Sequence, residues 1–285
     1  MIRNPGVSIF LSLLALSSLC LAGCERQKVA RVEWPVMGTI AAVQGRADLG
    51  ARWPVVDVPL VKQVFAGVEK LMNAHDAESE ISRLASFGEQ EILASCKNAV
   101  RPCYEAAFKL MRESGGAFNP RWRGPETLDL GAIAKGFAVD LITNDYAFVS
   151  QADMLVDLGG NVKSVRGSWR TGVKDPNGDG FAAVVDLHGG EALATSATYY
   201  RGSHICDGRT GLAVSNGVAS VTVLCNSAMW ADGLSTTLFV LGPEDGSKFL
   251  DDKLESLVGG MAVSALWIMD GGRKVTYGNA RFQGN

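Results

Sequence analysis

Residues 127–140 read Thr-Leu-Asp-Leu-Gly-Ala-Ile-Ala-Lys-Gly-Phe-Ala-Val-Asp, a short strand pattern that runs through a glycine turn into a helix pattern. A lysine and two carboxylates cluster around that turn. Glycines let a backbone approach a ligand closely, and the N–H groups at the start of a helix favour an anionic group such as phosphate. The stretch matches neither the Walker loop nor the Gly-x-Gly-x-x-Gly loop. Alone it indicates a plain strand-to-helix turn more than a ligand site.

The first 23 residues are predicted to be a targeting segment, outside the fold. Arg3 supplies the positive region, and the apolar run from Val7 to Leu19 is shorter than the roughly 20 apolar residues that a membrane span needs. Leu21-Ala22-Gly23-Cys24 resembles the lipobox of bacterial lipoproteins, in which the cysteine is lipidated and becomes the N-terminus. We therefore predict a lipoprotein signal peptide over 1–23 and a lipid anchor at Cys24.

The remaining residues, 24–285, are predicted to form a single domain in the bacterial cell envelope, lipid-anchored to a membrane and facing the periplasm. The chain of 285 residues has a formal net charge of −3 and no Lys/Arg cluster, which argues against nucleic-acid binding. An oxidising compartment permits disulfides. Four cysteines allow three pairings between which the sequence does not choose: Cys96, Cys103, Cys206 and Cys225.

Apolar spacing predicts strands and helices that mix without regular alternation. Ser79 is placed to cap a short helix. The absence of regular βα alternation favours an α+β fold over a doubly wound sheet. Strands are predicted at 30–45 (interrupted at Pro35 and Gly38), 154–158, 162–166, 181–187, 217–224, 262–269 and 274–277, and helices at 56–73, 99–114, 136–147, 228–240 and 244–257.

Two further segments carry side chains suited to chemistry. His204 can act as a general base near neutral pH, and Asp207 and Arg209 follow it closely. Asp232 and Thr236 stand four residues apart, so on a helix their oxygens share one face and could hold one cation. Carboxylate and hydroxyl oxygens are ligands that Mg²⁺ prefers, particularly when substrate phosphates complete its shell.

The order and spacing of short motifs resemble the ApbE family of FAD:protein FMN transferases. The resemblance covers about residues 30–280, which makes it far more specific than any one motif. The motifs are Met37-Gly38-Thr39, residues 79–83 (Ser-Glu-Ile-Ser-Arg), residues 116–120 (Gly-Ala-Phe-Asn-Pro), residues 129–140, residues 156–161 (Val-Asp-Leu-Gly-Gly-Asn), residues 195–199 (Thr-Ser-Ala-Thr-Tyr), residues 204–211 and residues 231–236 (Ala-Asp-Gly-Leu-Ser-Thr).

This resemblance implies a T-fold-like ApbE architecture, with mixed sheets packed with helices, and a Mg²⁺-dependent enzyme. Such enzymes cleave FAD and transfer FMN to a threonine or serine of a partner protein, releasing AMP. The implied metal ligands are Asp232, Ser235, Thr236 and the carbonyl of Ala132, and His204 matches the histidine that assists proton removal. The implied flavin contacts are Met37, His75, Ala117, Phe118, Asn119, Asp129, Lys135 and the backbone at Cys206.

The sequence departs from the family pattern around the predicted pocket. Only Arg-Trp-Arg-Gly-Pro-Glu separates Pro120 from Thr127, where typical members carry a longer insertion, and the segment between Tyr200 and Ser203 is also short. Individual replacements are Asn119 for aspartate, Ala197 for glycine, Gly208 for proline, Ala85 for a common asparagine, and His75 for an aromatic residue that often packs on the flavin.

Two other functions remain open at this point. A Mg²⁺-dependent FAD pyrophosphatase that yields FMN and AMP would use the same residues with water as the acceptor. A non-catalytic periplasmic FAD-binding lipoprotein is the other alternative, although it would have no need of His204, Asp232 and Thr236 together. For a transferase, the expected partner is an acceptor flavoprotein subunit of a membrane or periplasmic redox system.

Overall fold

The computed structural model describes residues 28–47, 58–145, 153–198, 205–279 and 281–284. The predicted signal peptide, Cys24 and His204 lie outside these ranges. The strands in them are β1 (Lys28–Val36), β2 (Thr39–Ala47), β3 (Met154–Leu158), β4 (Asn161–Ser164), β5 (Ser168–Lys174), β6 (Phe181–His188), β7 (Ala192–Ala197), β8 (Val218–Cys225), β9 (Ser264–Met269), β10 (Lys274–Tyr277) and β11 (Gln283–Gly284). The helices are α1 (Val58–Met72), α2 (Glu80–Leu84), α3 (Glu89–Ser95), α4 (Arg101–Glu113), α5 (Ala134–Asp145) and α6 (Ala228–Val258).

The strands form one large and one small sheet, and all their pairings within the described ranges are antiparallel. The large sheet has eight strands in the order β1-β2-β3-β4-β7-β8-β9-β10. The small sheet has three, in the order β11-β6-β5. The α+β organisation predicted from the sequence is confirmed.

Each face of the large sheet is covered by a different layer, and β9 shows how the sequence achieves this. Ala265 and Trp267 pack in the core shared with the helices, whereas Leu266 and Ile268 pack against the small sheet. Alternate side chains of a strand point to opposite faces, so a strand buried on both sides has a continuous apolar sequence. The Trp267 indole N–H donates to the Leu238 carbonyl at 3.1 Å, which attaches the sheet to α6.

Several predicted elements are refined by the structure. The strand predicted over 30–45 is a hairpin of β1 and β2, because Met37 and Gly38 take positive φ angles of 52° and 66° and reverse the chain. The helices predicted at 228–240 and 244–257 form one kinked element, α6, with Gly242 at φ 74° and ψ 178° before Pro243. Ser79 caps α2 as predicted, with its hydroxyl accepting from the Ser82 N–H.

Cys96, Cys103 and Cys225 are buried free thiols, so no disulfide joins any two of these three. Among the helices that the structure describes, none combines the length and apolar character needed to cross a bilayer.

Candidate functional site

The first turns of α5 and α6 pack directly on each other at Gly136. A Cβ atom at this position would lie 2.1 Å from the Ala228 carbonyl oxygen and 2.8 Å from the Asp232 Cβ. Real Cβ atoms do not approach a backbone oxygen so closely, and any larger residue would therefore separate the two helices. Glycine here brings Asp232 of α6 to the start of α5.

Each helix supplies a carboxylate to the N-terminus of the other. Asp232 Oδ2 accepts from the Gly136 N–H at 3.0 Å. In the opposite direction, the Asp140 carboxylate accepts from the Ala228 and Met229 N–H groups, both at 3.0 Å, and from the Ser227 hydroxyl at 2.5 Å. The N–H groups of a first helical turn lack partners inside their own helix and carry partial positive charge, so both carboxylates are well placed.

The two carboxylates differ in their cationic partners. Asp140 is bonded to the Lys163 ammonium at 2.7 Å, and both side chains are buried. Asp232 is also buried, at 5% exposure, but its nearest ammonium, on Lys135, lies 3.5 Å from Oδ2. Its Oδ1 accepts no hydrogen bond from any residue that the structure describes. Asp232 is therefore a buried anion with remaining capacity to bind a cation.

The carbonyl of Ala132 has similar spare capacity. In a regular helix the Gly136 N–H would donate to the carbonyl four residues earlier, which is that of Ala132. That N–H donates to Asp232 instead, while the Ile133 and Ala134 N–H groups both turn to the Leu130 carbonyl at 2.9 and 2.8 Å. Within the described ranges, the Ala132 carbonyl thus receives no backbone hydrogen bond.

Hydroxyl groups continue the site along α6. The Ser196 Oγ of β7 lies 2.8 Å from Ser235 Oγ and 3.0 Å from Thr236 Oγ1, and the Ser235 hydroxyl donates to the Asp232 carbonyl at 2.9 Å. Ser196 was not among the predicted site residues, although it lies inside the motif at residues 195–199 that carried the family resemblance. Ser196 lies opposite Val221 of β8 and contacts α6 through its hydroxyl. No local sequence pattern reveals this contact.

The oxygen set fits Mg²⁺ better than a metal with nitrogen or sulfur ligands. No group of three His, Cys, Asp or Glu side chains able to hold a metal occurs in the part of the chain described. One buried carboxylate with a backbone carbonyl and hydroxyls is a set that leaves Mg²⁺ to keep waters or substrate phosphates. The Lys135 ammonium stands beside this set and donates to the Gly131 carbonyl at 2.7 Å.

Asp129 supports the same turn from its outer side. Its Oδ1 accepts from the Gly131 N–H at 2.8 Å, and its Oδ2 lies 3.5 Å from a guanidinium nitrogen of Arg123. Asp129, Ala132 and Lys135 thus belong to one turn, and Lys135 contacts Asp232 on the neighbouring helix. The structure therefore brings Asp129 and Lys135 of residues 127–140 to the same turn, next to Asp232, and Ser235 and Thr236 follow Asp232 on α6.

Two predicted flavin contacts lie on other segments. The Met37 N–H donates to Glu69 Oε1 at 2.8 Å, which fixes the β1–β2 turn against α1. His75 is exposed, and its backbone N–H donates to the Asn73 side chain at 3.0 Å. An exposed imidazole is free to approach a ligand from solvent.

The other predicted contacts meet where residues 116–120 face residues 205–211. The Ala117 and Phe118 side chains are buried in the core, so contact with a ligand would come from their backbone. The Asn119 amide donates to the Gly208 carbonyl at 2.9 Å. Cys206 pairs with Ala213 in an isolated β-bridge.

A pocket of about 450 Å³ opens beside this contact, and its lining includes Asn119, Trp122, Gly208 and Arg209. The Arg209 guanidinium binds both oxygens of Asp207, at 2.8 and 2.6 Å. These hydrogen bonds hold the pKa of Asp207 below its ordinary value. The volume is within the range of small-molecule sites, roughly 300–1,000 Å³.

Comparison with known proteins finds similarity to the same family that the motifs resemble. The ApbE family model matches residues 122–258. A FAD:protein FMN transferase of Klebsiella pneumoniae is 40% identical over 129 residues, covering 42% of this chain and 40% of that protein. One of Rhodobacter capsulatus is 40% identical over 130 residues, covering 41% of this chain and 25% of that protein. The match therefore spans well under half of these relatives' length.

Solved structures extend the likeness to most of the fold. The flavin transferase ApbE of Vibrio cholerae aligns with a TM-score of 0.69 at 22% identity, covering 89% of this chain and 98% of its own. The apo flavinyl transferase ApbE of Pseudomonas stutzeri aligns with a TM-score of 0.68 at 23% identity, covering 88% of this chain and 95% of its own. The predicted resemblance to the ApbE family is thus confirmed, by sequence over residues 122–258 and by a fold shared with ApbE flavin transferases.

Proposed function

We propose that this protein transfers FMN from FAD to a serine or threonine hydroxyl of an acceptor protein and releases AMP. The observation that carries the proposal is the environment of Asp232. It is a buried carboxylate held at a helix N-terminus, with one oxygen lacking a partner among the described residues. The Ala132 carbonyl, in the turn before that helix, receives no backbone hydrogen bond within the described ranges. The curated relatives, which are named FAD:protein FMN transferases, supply the reaction class.

In the proposed reaction the acceptor hydroxyl oxygen forms a bond to the phosphorus of the FMN half of FAD. The bond from that phosphorus to the bridging oxygen breaks, and the bridging oxygen leaves with AMP. His204 is the proposed base that takes the hydroxyl proton, a role worth about 10²–10⁴-fold in rate. His204 lies outside the described residues, so this role rests on the family resemblance.

The other residues would position FAD and neutralise the negative charge of its phosphates. Asp232, Ser235, Thr236 and the Ala132 carbonyl would hold Mg²⁺, which when bound would neutralise charge on the phosphate oxygens. Lys135 adds a positive charge next to Asp232 and can pair with a phosphate oxygen. Met37, His75, Asp129 and residues 117–119 and 206 would contact FAD.

The decisive experiment incubates purified protein with FAD, Mg²⁺ and membranes from cells that lack this gene. AMP is measured by chromatography and covalent FMN by mass spectrometry of the membrane proteins. We expect both products with the wild type and neither with Asp232→Asn, whereas the matched control Asp252→Asn, on an exposed turn of the same helix, keeps full activity. Free FMN with AMP and no covalent product would instead support the pyrophosphatase.

We also propose that the protein is a lipoprotein of the cell envelope, facing the periplasm. The Leu-Ala-Gly-Cys sequence before and at Cys24 supports this, and an acceptor in a membrane or periplasmic redox system would then lie within reach. Fractionation of cells that express the wild type and Cys24→Ser tests it. The wild type should sediment with membranes and the variant should not, and equal distribution of both would contradict the anchor.

A further inference from the structure

Three hydroxyl groups are hydrogen-bonded in series between β7 and the first turns of α6. Ser196 Oγ lies 2.8 Å from Ser235 Oγ and 3.0 Å from Thr236 Oγ1. Ser235 Oγ lies in turn 2.9 Å from the backbone carbonyl oxygen of Asp232. We call Thr236, Ser196 and Ser235 the hydroxyl chain. It joins two predicted metal ligands, Thr236 and Asp232, through a residue of the large sheet.

The carbonyl at one end fixes the direction of each hydrogen bond in the hydroxyl chain. A carbonyl oxygen only accepts, and a hydroxyl has a single proton to donate. The Ser235 proton is used on the Asp232 carbonyl, so Ser196 must donate to Ser235. Because the Ser196 proton is then used as well, Thr236 must donate to Ser196.

This direction leaves the Thr236 oxygen as an acceptor. Its proton is used on Ser196, and the oxygen receives no hydrogen bond from any residue in the described ranges. Donation along a series of hydrogen bonds polarises a hydroxyl and makes its oxygen a better acceptor. Thr236 is half-buried, whereas every other residue of 231–240 is buried. An accessible oxygen with free lone pairs, one helical turn from the Asp232 carboxylate, is suited to a cation.

We propose that Ser196 is a positioning residue for the Mg²⁺ of the proposed transferase. It accepts the Thr236 hydrogen bond, so the lone pairs of the Thr236 oxygen stay available to the cation. Without this acceptor the Thr236 hydroxyl would rotate, and cation binding would have to order it. Partners that orient a metal ligand in this way typically contribute about 10–100-fold to metal affinity. The proposal rests on the proposed function, because it concerns the Mg²⁺ site at Asp232.

The test compares Ser196→Ala with two matched variants of the same strand. Ser196→Thr keeps the hydroxyl at this position. Thr195 is the neighbour of Ser196 in β7 and points to the opposite face of the sheet, where its hydroxyl lies 2.9 Å from that of Thr222. Thr195→Val therefore removes a similar pair of hydroxyls away from α6.

Three measurements separate metal binding from folding. Mg²⁺ binding to the FAD-free proteins is measured by isothermal titration calorimetry. The Mg²⁺ concentration for half-maximal AMP release and the KM for FAD are measured with the same variants. Urea unfolding without Mg²⁺ reports the structural cost of each substitution.

We expect Ser196→Ala to bind Mg²⁺ about tenfold more weakly and to need about tenfold more Mg²⁺ for half-maximal AMP release. Ser196→Thr and Thr195→Val should both keep the Mg²⁺ affinity of the wild type. At saturating Mg²⁺ the KM for FAD in Ser196→Ala should stay within about threefold of the wild-type value. Ser196→Ala and Thr195→Val should lose similar stability, because each loses hydrogen bonds between hydroxyls.

The variant Thr236→Val tests whether Ser196 acts through Thr236. Valine resembles threonine in shape but has no hydroxyl. We expect Ser196→Ala/Thr236→Val to bind Mg²⁺ as weakly as Thr236→Val alone, because Ser196 would have no ligand left to orient. Losses of affinity that add in the double variant would overturn the proposal, since Ser196 would then act on the site by another route.

The remaining outcomes distinguish this role from the proposed function. If Ser196→Ala binds Mg²⁺ as tightly as Thr195→Val, while Asp232→Asn abolishes binding, the positioning role alone is refuted. Mg²⁺ binding that is equal in, or absent from, the wild type and Asp232→Asn would refute the metal site and this role together. Mg²⁺ binding that depends on Asp232 and Ser196, with AMP release but no FMN on an acceptor, would refute the transfer and support the role of Ser196.

Discussion

Replacing Gly136 by alanine tests the packing that creates the site. In an ordinary exposed helix this change stabilises a protein by about 1 kcal/mol, because alanine has the higher helix propensity. Here the added Cβ would lie 2.1 Å from the Ala228 carbonyl oxygen and 2.5 Å from its carbonyl carbon. Both atoms are backbone, so the clash cannot be relieved by a side-chain rotation.

The expected cost combines two effects. Overpacking of a close contact costs about 1–3 kcal/mol or somewhat more. Moving α6 away also lengthens the 3.0 Å bond from the Gly136 N–H to Asp232, and a bond to a charged group contributes about 1.5–3 kcal/mol. After the propensity gain is subtracted, we expect a net loss of about 2–5 kcal/mol in the free energy of unfolding.

The assay is urea unfolding of the wild type, Gly136→Ala and Gly67→Ala. Gly67 lies in α1, where an added Cβ would meet nothing within 4 Å, so its replacement should stabilise the protein by about 1 kcal/mol. The two substitutions are chemically identical. Because only the one at Gly136 meets a neighbouring backbone, they should shift the free energy of unfolding in opposite directions. A Gly136→Ala protein as stable as Gly67→Ala would refute the close packing of α5 on α6.

Three further predictions concern buried ionisable groups. Lys163→Met should cost about 3–5 kcal/mol in urea unfolding, because it leaves the buried Asp140 carboxylate without its cation, and an unchanged midpoint would contradict that role. Burial raises the pKa of Asp157 above its ordinary 3.8, so the stability associated with its protonated form is lost as pH rises through the folded-state pKa. Asp157→Asn should consequently gain stability over the wild type at pH 7 and lose this advantage as pH falls toward about 4, and a gain independent of pH would exclude this cause. Burial also raises the pKa of the Cys103 thiol, and that of Cys225 to about 12. Iodoacetamide at pH 8 should therefore modify these two thiols only after unfolding, as located by peptide mass spectrometry, and rapid modification of either one in the native protein would contradict its burial.

The sequence predicts the strongly apolar strands well but not the strands whose residues are mainly polar or small. β8 is buried at every position, and its apolar sequence indicates a strand directly. β5 belongs to the small sheet and buries only Trp169 and Val173. Its mainly polar sequence therefore does not predict a strand. Apart from Leu193, β7 consists of Ala, Thr and Ser, so its β-structure comes from pairing with β8.

The sequence points to candidate site residues, but it does not reveal the packing of the helices and strands around them. Asp232 and Thr236 follow from helical spacing, and the turn around Ala132 follows from its glycines and from the family resemblance. The roles of Gly136 and Ser196 depend on contacts with segments about 40 to 100 residues away. A local pattern contains no information about which distant backbone will approach a glycine.

The proposed function assigns the attachment of FMN to a protein to the Asp232 site. Membrane proteins from cells lacking the gene, complemented with the wild type or with Asp232→Asn, can be compared by mass spectrometry for FMN on serine and threonine. We predict at least one FMN-modified serine or threonine that is present with the wild type and absent with Asp232→Asn. Identical sets of FMN-modified residues in the two strains would contradict it.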